Sequence, residues 1–144
     1  MSNSIYPCLW FDTQAHEAAD FYLGIFPNAK LLNRTPFVSV YSLNGQQFMN
    51  MNGAEGPGFS TSLSLVVRCK DQAEIDQYWT ALSQEGEEGK CGWLKDKYGV
   101  SWQIVPDILG SLMSHPHKAP KAMYAFMQMK KLIIADLIKA AEGE

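Results

Sequence analysis

Few side chains in this sequence stand where chemistry could be done. There are three histidines and three cysteines. Cys8, Cys69 and Cys91 lie far apart with no CxxC spacing, which argues against a disulfide framework and a structural zinc site and leaves buried, reduced thiols as the reading. Cys91 opens a hairpin beside Gly92 and is a candidate nucleophile. No His or Lys at a predictable distance lowers its pKa, so a structural thiol is expected. His115 and His117 form an H-x-H pair, a spacing zinc accepts. They sit in a proline-rich connector without an acidic or thiol partner and read as solvated loop histidines. His16 falls on the exposed side of a helix. No paired carboxylates are placed for general acid–base work.

The chain that must position these groups has 144 residues, 47% hydrophobic and 19% charged. That is one domain's length, enough to bury a core unaided. Apolar runs such as residues 63–67 are too short to span a bilayer. The start, Met1-Ser2-Asn3-Ser4, has no basic segment followed by an apolar one, so a cytoplasmic protein without a membrane partner is expected. A net charge of −3 weighs against nucleic acid, whose binding needs a basic surface. Lys118, Lys121, Lys130 and Lys131 suit a solvated helix face.

Periodicity predicts a strand over residues 5–11. A helix follows, capped at Asp12-Thr13 and stopped at Pro27-Asn28, with Ala15, Ala18, Ala19, Tyr22, Ile25 and Phe26 on one face. Strands over 29–35, 37–43 and 46–51 come next, the last two joined by an Asn44-Gly45 turn. Residues 52–60, with Gly53, Gly56, Pro57 and Gly58, read as a loop between two halves. A strand over 62–69 alternates Leu63, Leu65 and Val67 with Ser62, Ser64 and Val66. Asp71 and Glu74 then form a capping box ahead of a helix striped with Ile75, Tyr78, Trp79 and Leu82, which Gly86 and Gly89 end. Residues 91–95 and 101–105 make a hairpin around Tyr98-Gly99. After Pro106, residues 107–114 form a short helix. Residues 121–141 read as one long amphipathic helix striped with Met123, Phe126, Met127, Ile133, Ile134, Leu137 and Ala141. The tail Glu142-Gly143-Glu144 is expected to fray.

A faint internal repeat underlies this order. Gln14-Ala15 with Phe21-Tyr22 echoes Gln72-Ala73 with Tyr78-Trp79, and residues 44–49 echo residues 98–103, both at offsets of roughly 55 residues. Two tandem strand–helix–hairpin units would pack their helices on one side of a sheet and curl the other side into a concave surface.

Three stretches carry a family likeness: Pro7-Cys8-Leu9-Trp10-Phe11-Asp12, Ile25-Phe26-Pro27-Asn28-Ala29-Lys30 and Leu43-Asn44-Gly45-Gln46-Gln47-Phe48. With the longer Cys91-Gly92-Trp93-Leu94-Lys95-Asp96-Lys97-Tyr98-Gly99-Val100-Ser101-Trp102-Gln103-Ile104-Val105-Pro106, the chain resembles the PhnB-like proteins over nearly its whole length. These belong to the vicinal-oxygen-chelate superfamily of glyoxalases, bleomycin-resistance proteins and extradiol dioxygenases, and are often labelled 3-demethylubiquinone-9 3-methyltransferase. The resemblance implies an α+β fold of paired βαβββ modules over residues 1–106, with halves of about 1–56 and 57–106, and a C-terminal helical extension over 107–144. It also implies a homodimer. In the second half only two good strands follow the helix, with a vestigial third over residues 87–90.

Active members of that superfamily hold a divalent metal at four equivalent places. By resemblance these fall at or next to Pro7, near Ser64 with Ser62 on the same face, at Met49 and at Gln103. A lone neutral amide cannot hold a dication against water, so no metal is expected. Nor is a methyl donor: Gly53, Gly56 and Gly58 lie in a connector, and Gly86, Gly89 and Gly92 follow a helix. Neither group forms the strand-to-helix glycine turn that a nucleotide-type cofactor needs. The expectation is a metal-free protein without cofactor, binding a small molecule among Pro7, Phe11, Met49, Ser62, Ser64, Trp93, Ser101 and Gln103. The alternatives are a metal-dependent lyase, isomerase or dioxygenase of the same superfamily, or a methyltransferase of unfamiliar mode. Trp10 and Trp102 are expected in the core, Trp93 and Lys95 share a face, and Lys95-Asp96-Lys97 reads as a charged hairpin tip. The Met-rich stripe of the last helix is a candidate for docking on a partner subunit.

Overall fold

The computed structural model describes residues 4–56 and 58–143. Residues 1–3, Pro57 and Glu144 lie outside the described residues, and with them part of the start, the connector and the tail read above. Two compact units divide between Gly58 and Phe59. The first runs β1 (Cys8–Trp10), α1 (Ala15–Ile25), β2 (Ala29–Arg34), β3 (Val38–Leu43) and β4 (Gln46–Met51). The second runs β5 (Ser64–Cys69), α2 (Gln72–Ser83), β6 (Glu87–Glu88), β7 (Trp93–Lys95) and β8 (Ser101–Pro106), then α3 (Leu109–Ser114), α4 (Ala119–Met127) and α5 (Ile134–Glu142). The four-stranded sheets have the same order, β1-β4-β3-β2 and β5-β8-β7-β6. In each, the opening strand pairs parallel with the last strand and the other pairs are antiparallel. The protein is thus α+β with paired βαβββ modules and C-terminal helices, and the expected vestigial strand is β6.

In the first unit, Leu9, Phe11, Tyr41, Leu43 and Phe48 are buried on the sheet face under α1. Ala15, Ala18 and Ala19 let that helix lie close, and its Tyr22 stacks on Tyr41 with ring centroids 6.4 Å apart. Trp10, expected in this core, is 48% exposed: side chains alternate along a strand, so once Leu9 and Phe11 face the helix Trp10 cannot. The cap also differs. Asp12-Thr13 does not cap α1; the Ala15 N–H donates to Asn52 Oδ1 at 2.8 Å, an acceptor delivered by the end of the neighbouring strand. Beneath it, Tyr41 O–H donates to Asn50 Oδ1 (2.8 Å) and Asn50 Nδ2 donates to the Ala15 carbonyl (3.1 Å).

In the second unit the capping box forms: the Glu74 N–H donates to Asp71 Oδ1 at 2.9 Å, and Glu74 Oε1 accepts from the Lys70 N–H at 2.8 Å. Ile75, Tyr78, Trp79 and Leu82 are buried as the stripe requires, and Trp102 and Ile104 meet them from β8. The strand begins only at Ser64, leaving Leu63 62% exposed and Ser62 in an exposed turn.

The single long C-terminal helix is not formed. Residues 128–133 leave helical geometry between α4 and α5 because four tertiary hydrogen bonds outweigh the local periodicity. The Cys91 and Gly92 N–H groups donate to the Met129 and Lys130 carbonyls, both at 2.8 Å. Gln72 Nε2 donates to the Leu132 carbonyl and Gln72 Oε1 accepts from the Ile134 N–H. Leu132, absent from the predicted stripe, is fully buried with Leu112, Ala122, Leu137 and Ala141, while Met123 and Met127 stay exposed.

Candidate functional site

Each sheet has one face under its helix and one open face. On the first unit's open face, strand register sets Cys8 beside Met49 beside Val40, and Trp10 beside Met51 beside Val38. On the second, a polar row crosses four strands: Ser64, Ser101, Lys95 and Glu87 are successive register partners. The next row is Val66, Gln103 and Trp93. Gln103 Nε2 donates to Ser64 Oγ at 2.9 Å across the two rows.

Two devices hold this row in place. Gly86 and Gly89 flank β6; a Cβ on Gly86 would lie 2.2 Å from the Lys95 carbonyl oxygen, and one on Gly89 2.9 Å from that of Trp93. Glycine there lets β6 close on β7. On the helix side, Asp96 is 3% exposed. Its Oδ1 accepts from the Tyr98 and Val100 N–H groups (2.9 and 3.1 Å) and its Oδ2 from Trp102 Nε1 (2.9 Å). Asp96 is therefore a buried turn anchor, and only Lys97, 3.9 Å from Glu85, is the tip charge the sequence reading expected.

Ser101 is 1% exposed, and its Oγ has no hydrogen-bond partner among the described residues. It lines a cavity of about 230 Å³ with Thr61, Glu87, Glu88, Gly89, Trp93, Leu94 and Lys95. Buried hydroxyls are nearly always bonded, so this orphan marks a place where a partner is expected.

Of the predicted site residues, Ser64, Trp93, Ser101 and Gln103 come together on this open face, and of these Trp93 and Ser101 line the cavity. Met49 is on the first unit's open face. Pro7 only precedes β1, its carbonyl accepting from the Met49 N–H at 3.0 Å, and Cys8 takes the place beside Met49. Phe11 is 3% exposed in the core under α1 and lines no open face. Lys95 and Glu87 complete the row, yet sequence reading did not link them; the two-residue β6 carries too little pattern to fix a register.

The thiols follow their surroundings. Burial pushes Cys69 up to about 12, helped by the carboxylates of Glu74, Asp107 and Asp71, and partial desolvation raises Cys8. Neither is poised as a thiolate nucleophile. Cys91 takes a left-handed backbone (φ 60°) that aims its N–H at Met129, a structural duty. His16 is not a free surface side chain: its Nδ1 lies 2.5 Å from Ser39 Oγ, which accepts from Arg34 Nε at 2.9 Å, and Arg34 pairs with Asp20 at 2.8 Å. Ser39 is fully buried, so this cluster ties α1 to β2 and β3 and offers no access to a substrate. His115 Nδ1 accepts from the His117 and Lys118 N–H groups at 3.2 Å, capping the turn into α4.

Solved structures place this architecture in the vicinal-oxygen-chelate superfamily. The PhnB protein of Bacillus cereus is 29% identical, with a TM-score of 0.67 over 72% of this chain and 99% of its own. A protein from Pseudomonas aeruginosa is 16% identical, with a TM-score of 0.61 over 74% of this chain and 100% of its own. The fosfomycin resistance protein FosX of Listeria monocytogenes, solved with Mn(II) and sulfate, is 14% identical, with a TM-score of 0.60 over 78% of this chain and 96% of its own. The sequence model of the 3-demethylubiquinone-9 3-methyltransferase family matches residues 3–105, and the chain belongs to that family. No protein of curated function matches it in sequence.

The donor sets do not fit the groups this kinship brings to mind. Beside Met49 and Gln103 stand Cys8 and Val66, and Gln103 Oε1 is the one side-chain oxygen among these four residues. Thioether, raised thiol and aliphatic side chains are poor ligands for a hard dication, and one neutral amide oxygen does not hold it against water. Among the described residues no three His, Cys, Asp or Glu side chains group as metal ligands. A nucleotide-type methyl donor needs a glycine turn between strand and helix, but the three such connections, residues 11–14, 70–71 and 107–108, contain no glycine. Among the described residues no helix is long and apolar enough to cross a membrane.

Proposed function

We propose that this protein binds a small organic molecule on the open face of its second unit without a metal ion, and does so as a cytoplasmic homodimer. The buried, partnerless Ser101 hydroxyl beside the 230 Å³ cavity carries this reading. Around it, Trp93 offers an apolar wall, and Gln103, Ser64 and Lys95 offer directional polar groups, the composition of a small-molecule pocket. The exposed Met123, Tyr124 and Met127 of α4 supply apolar surface for a second subunit, and the free thiols of Cys8, Cys69 and Cys91 suit a reducing compartment.

Elemental analysis of purified protein, coupled to a thermal-shift screen of amino acids, quinones, aromatic antibiotics and S-adenosylmethionine, tests the proposal. Metal far below one ion per chain and a shift with one compound class, abolished in Gln103→Ala, is the expected result. Stoichiometric manganese, nickel, zinc or iron, or a shift with S-adenosylmethionine alone, overturns it.

A further inference from the structure

We propose that the ligand of the second unit is a small zwitterion of the α-amino-acid type, with an ammonium and a carboxylate on one carbon and a compact apolar side chain. This rests on the reading that the open face of the second unit binds a ligand; it adds the ligand's chemical class.

The order of groups across the sheet carries the argument. From β8 through β7 to β6, the register partners are a hydroxyl (Ser101), an ammonium (Lys95) and a carboxylate (Glu87), with Glu88 also lining the cavity. Among the described residues Lys95, Glu87 and Glu88 make no ion pair, so the opposite charges on neighbouring strands are left to act on something else. The buried Ser101 O–H has no acceptor within the described residues and is a ready donor to a carboxylate that Lys95 also attracts. A simple anion placed there meets the Glu87 carboxylate one strand beyond Lys95, and a simple cation meets Lys95. A molecule with both charges answers both ends. Neighbouring strands are about 4.8 Å apart, close enough for groups on one ligand carbon to reach side chains from two strands.

Size and wall complete the fit. A cavity of about 230 Å³ equals roughly eight waters at about 30 Å³ each, room for a ligand of roughly ten non-hydrogen atoms. Trp93 borders it from the adjacent row and suits an aliphatic side chain.

Calorimetric titration of the full chain with L-leucine, isocaproate and isoamylamine tests the assignment, since the last two each lack one charge of the first. L-leucine is expected to bind one per chain and at least about tenfold more tightly than either analogue. Lys95→Met should lower leucine affinity to that of isoamylamine, and Glu87→Gln to that of isocaproate. Ser101→Ala should cost about tenfold in affinity while leaving the ligand-free melting temperature unchanged or higher, because the lost hydroxyl had no partner. Isocaproate binding as tightly as leucine, or a Ser101→Ala protein that melts lower yet binds leucine normally, overturns the proposal. Amide and side-chain NMR spectra separate the two levels of failure. If other compounds shift the Trp93 and Gln103 resonances and leucine does not, the zwitterion is wrong and the binding face stands; if no compound of the screen shifts them, both fall.

Discussion

In the first unit the open sheet face carries Cys8, Trp10, Met49, Met51, Val38 and Val40, with Gln47, Ser42 and Lys30 in a further row; in the second, the same strands in the same order carry Ser64, Ser101, Gln103, Lys95 and Glu87. The helix-covered faces differ far less. Leu9, Tyr41 and Phe48 under α1 and Val67, Trp102 and Ile104 under α2 are all buried. A side chain beneath a helix must fill a fixed space and leave no polar atom unpaired. One on the open face answers to whatever approaches from outside. Topology is therefore common to the two units, while the residues of the open faces differ.

Under each helix a hydrogen-bonded polar anchor breaks the apolar pattern, Asn50 in the first unit and Asp96 in the second, and comparing the two gives the largest expected effects. Asp96→Ala strips three donors, including Trp102 Nε1, of a buried charged acceptor and should cost about 3–4 kcal/mol in urea unfolding. Tyr41→Phe in the first unit leaves the neutral Asn50 Oδ1 short of its donor and should cost about 1–2 kcal/mol. A larger loss from Tyr41→Phe than from Asp96→Ala would break the ranking of a charged anchor above a neutral one.

Backbone strain gives a smaller effect, of opposite sign. Glu85, between α2 and β6, has φ 61°, a conformation glycine adopts freely. Glu85→Gly should raise stability by about 0.5–1 kcal/mol, net of its long contact with Lys97. A loss of stability in the same urea assay would show that this contact matters more than the turn.

The smallest effect concerns a feature the first unit lacks, the docked C-terminal segment. Hydrogen bonds from Gln72 and then Lys131 hold the Asp76 carboxyl below its usual 3.8. A folded pKa below the unfolded one means that its contribution is complete above about pH 3.8 and is lost as pH falls through the lower folded value. Asp76→Asn should therefore lower the melting temperature slightly at neutral pH, as expected of an exposed pair, and the difference from the parent protein should vanish at the acid end, where the parent carboxyl is protonated too. An equal drop at pH 7 and pH 3 would show that the carboxylate's charge is not what holds Lys131.

Local pattern made much of the fold legible. The alanine-lined face of α1, the Asn44-Gly45 hairpin and the Asp71–Glu74 box are short-range arrangements whose physics lies within a few residues, and each is present. The candidate site was legible only in part. Alternation along β8 put Ser101 and Gln103 on one face, but a single strand says nothing of its neighbours' register. The strand neighbours of Ser101, the alignment of Lys95 with Glu87 and the burial of Asp96 were hidden for that reason.

By itself, then, the sequence determined the two-fold repeat, the periodicity of each element and the poor metal-binding chemistry at Met49 and Gln103, since residue type and spacing suffice for those. Tertiary structure alone decided that Trp10 faces outward, that Asn52 caps α1, that Leu132 and Gln72 break the last helix in two, and that a hydroxyl, an ammonium and a carboxylate stand in one row. Each of these depends on which distant residue arrives alongside, and packing and hydrogen-bond demand outweigh a local preference of a few tenths of a kcal/mol per residue.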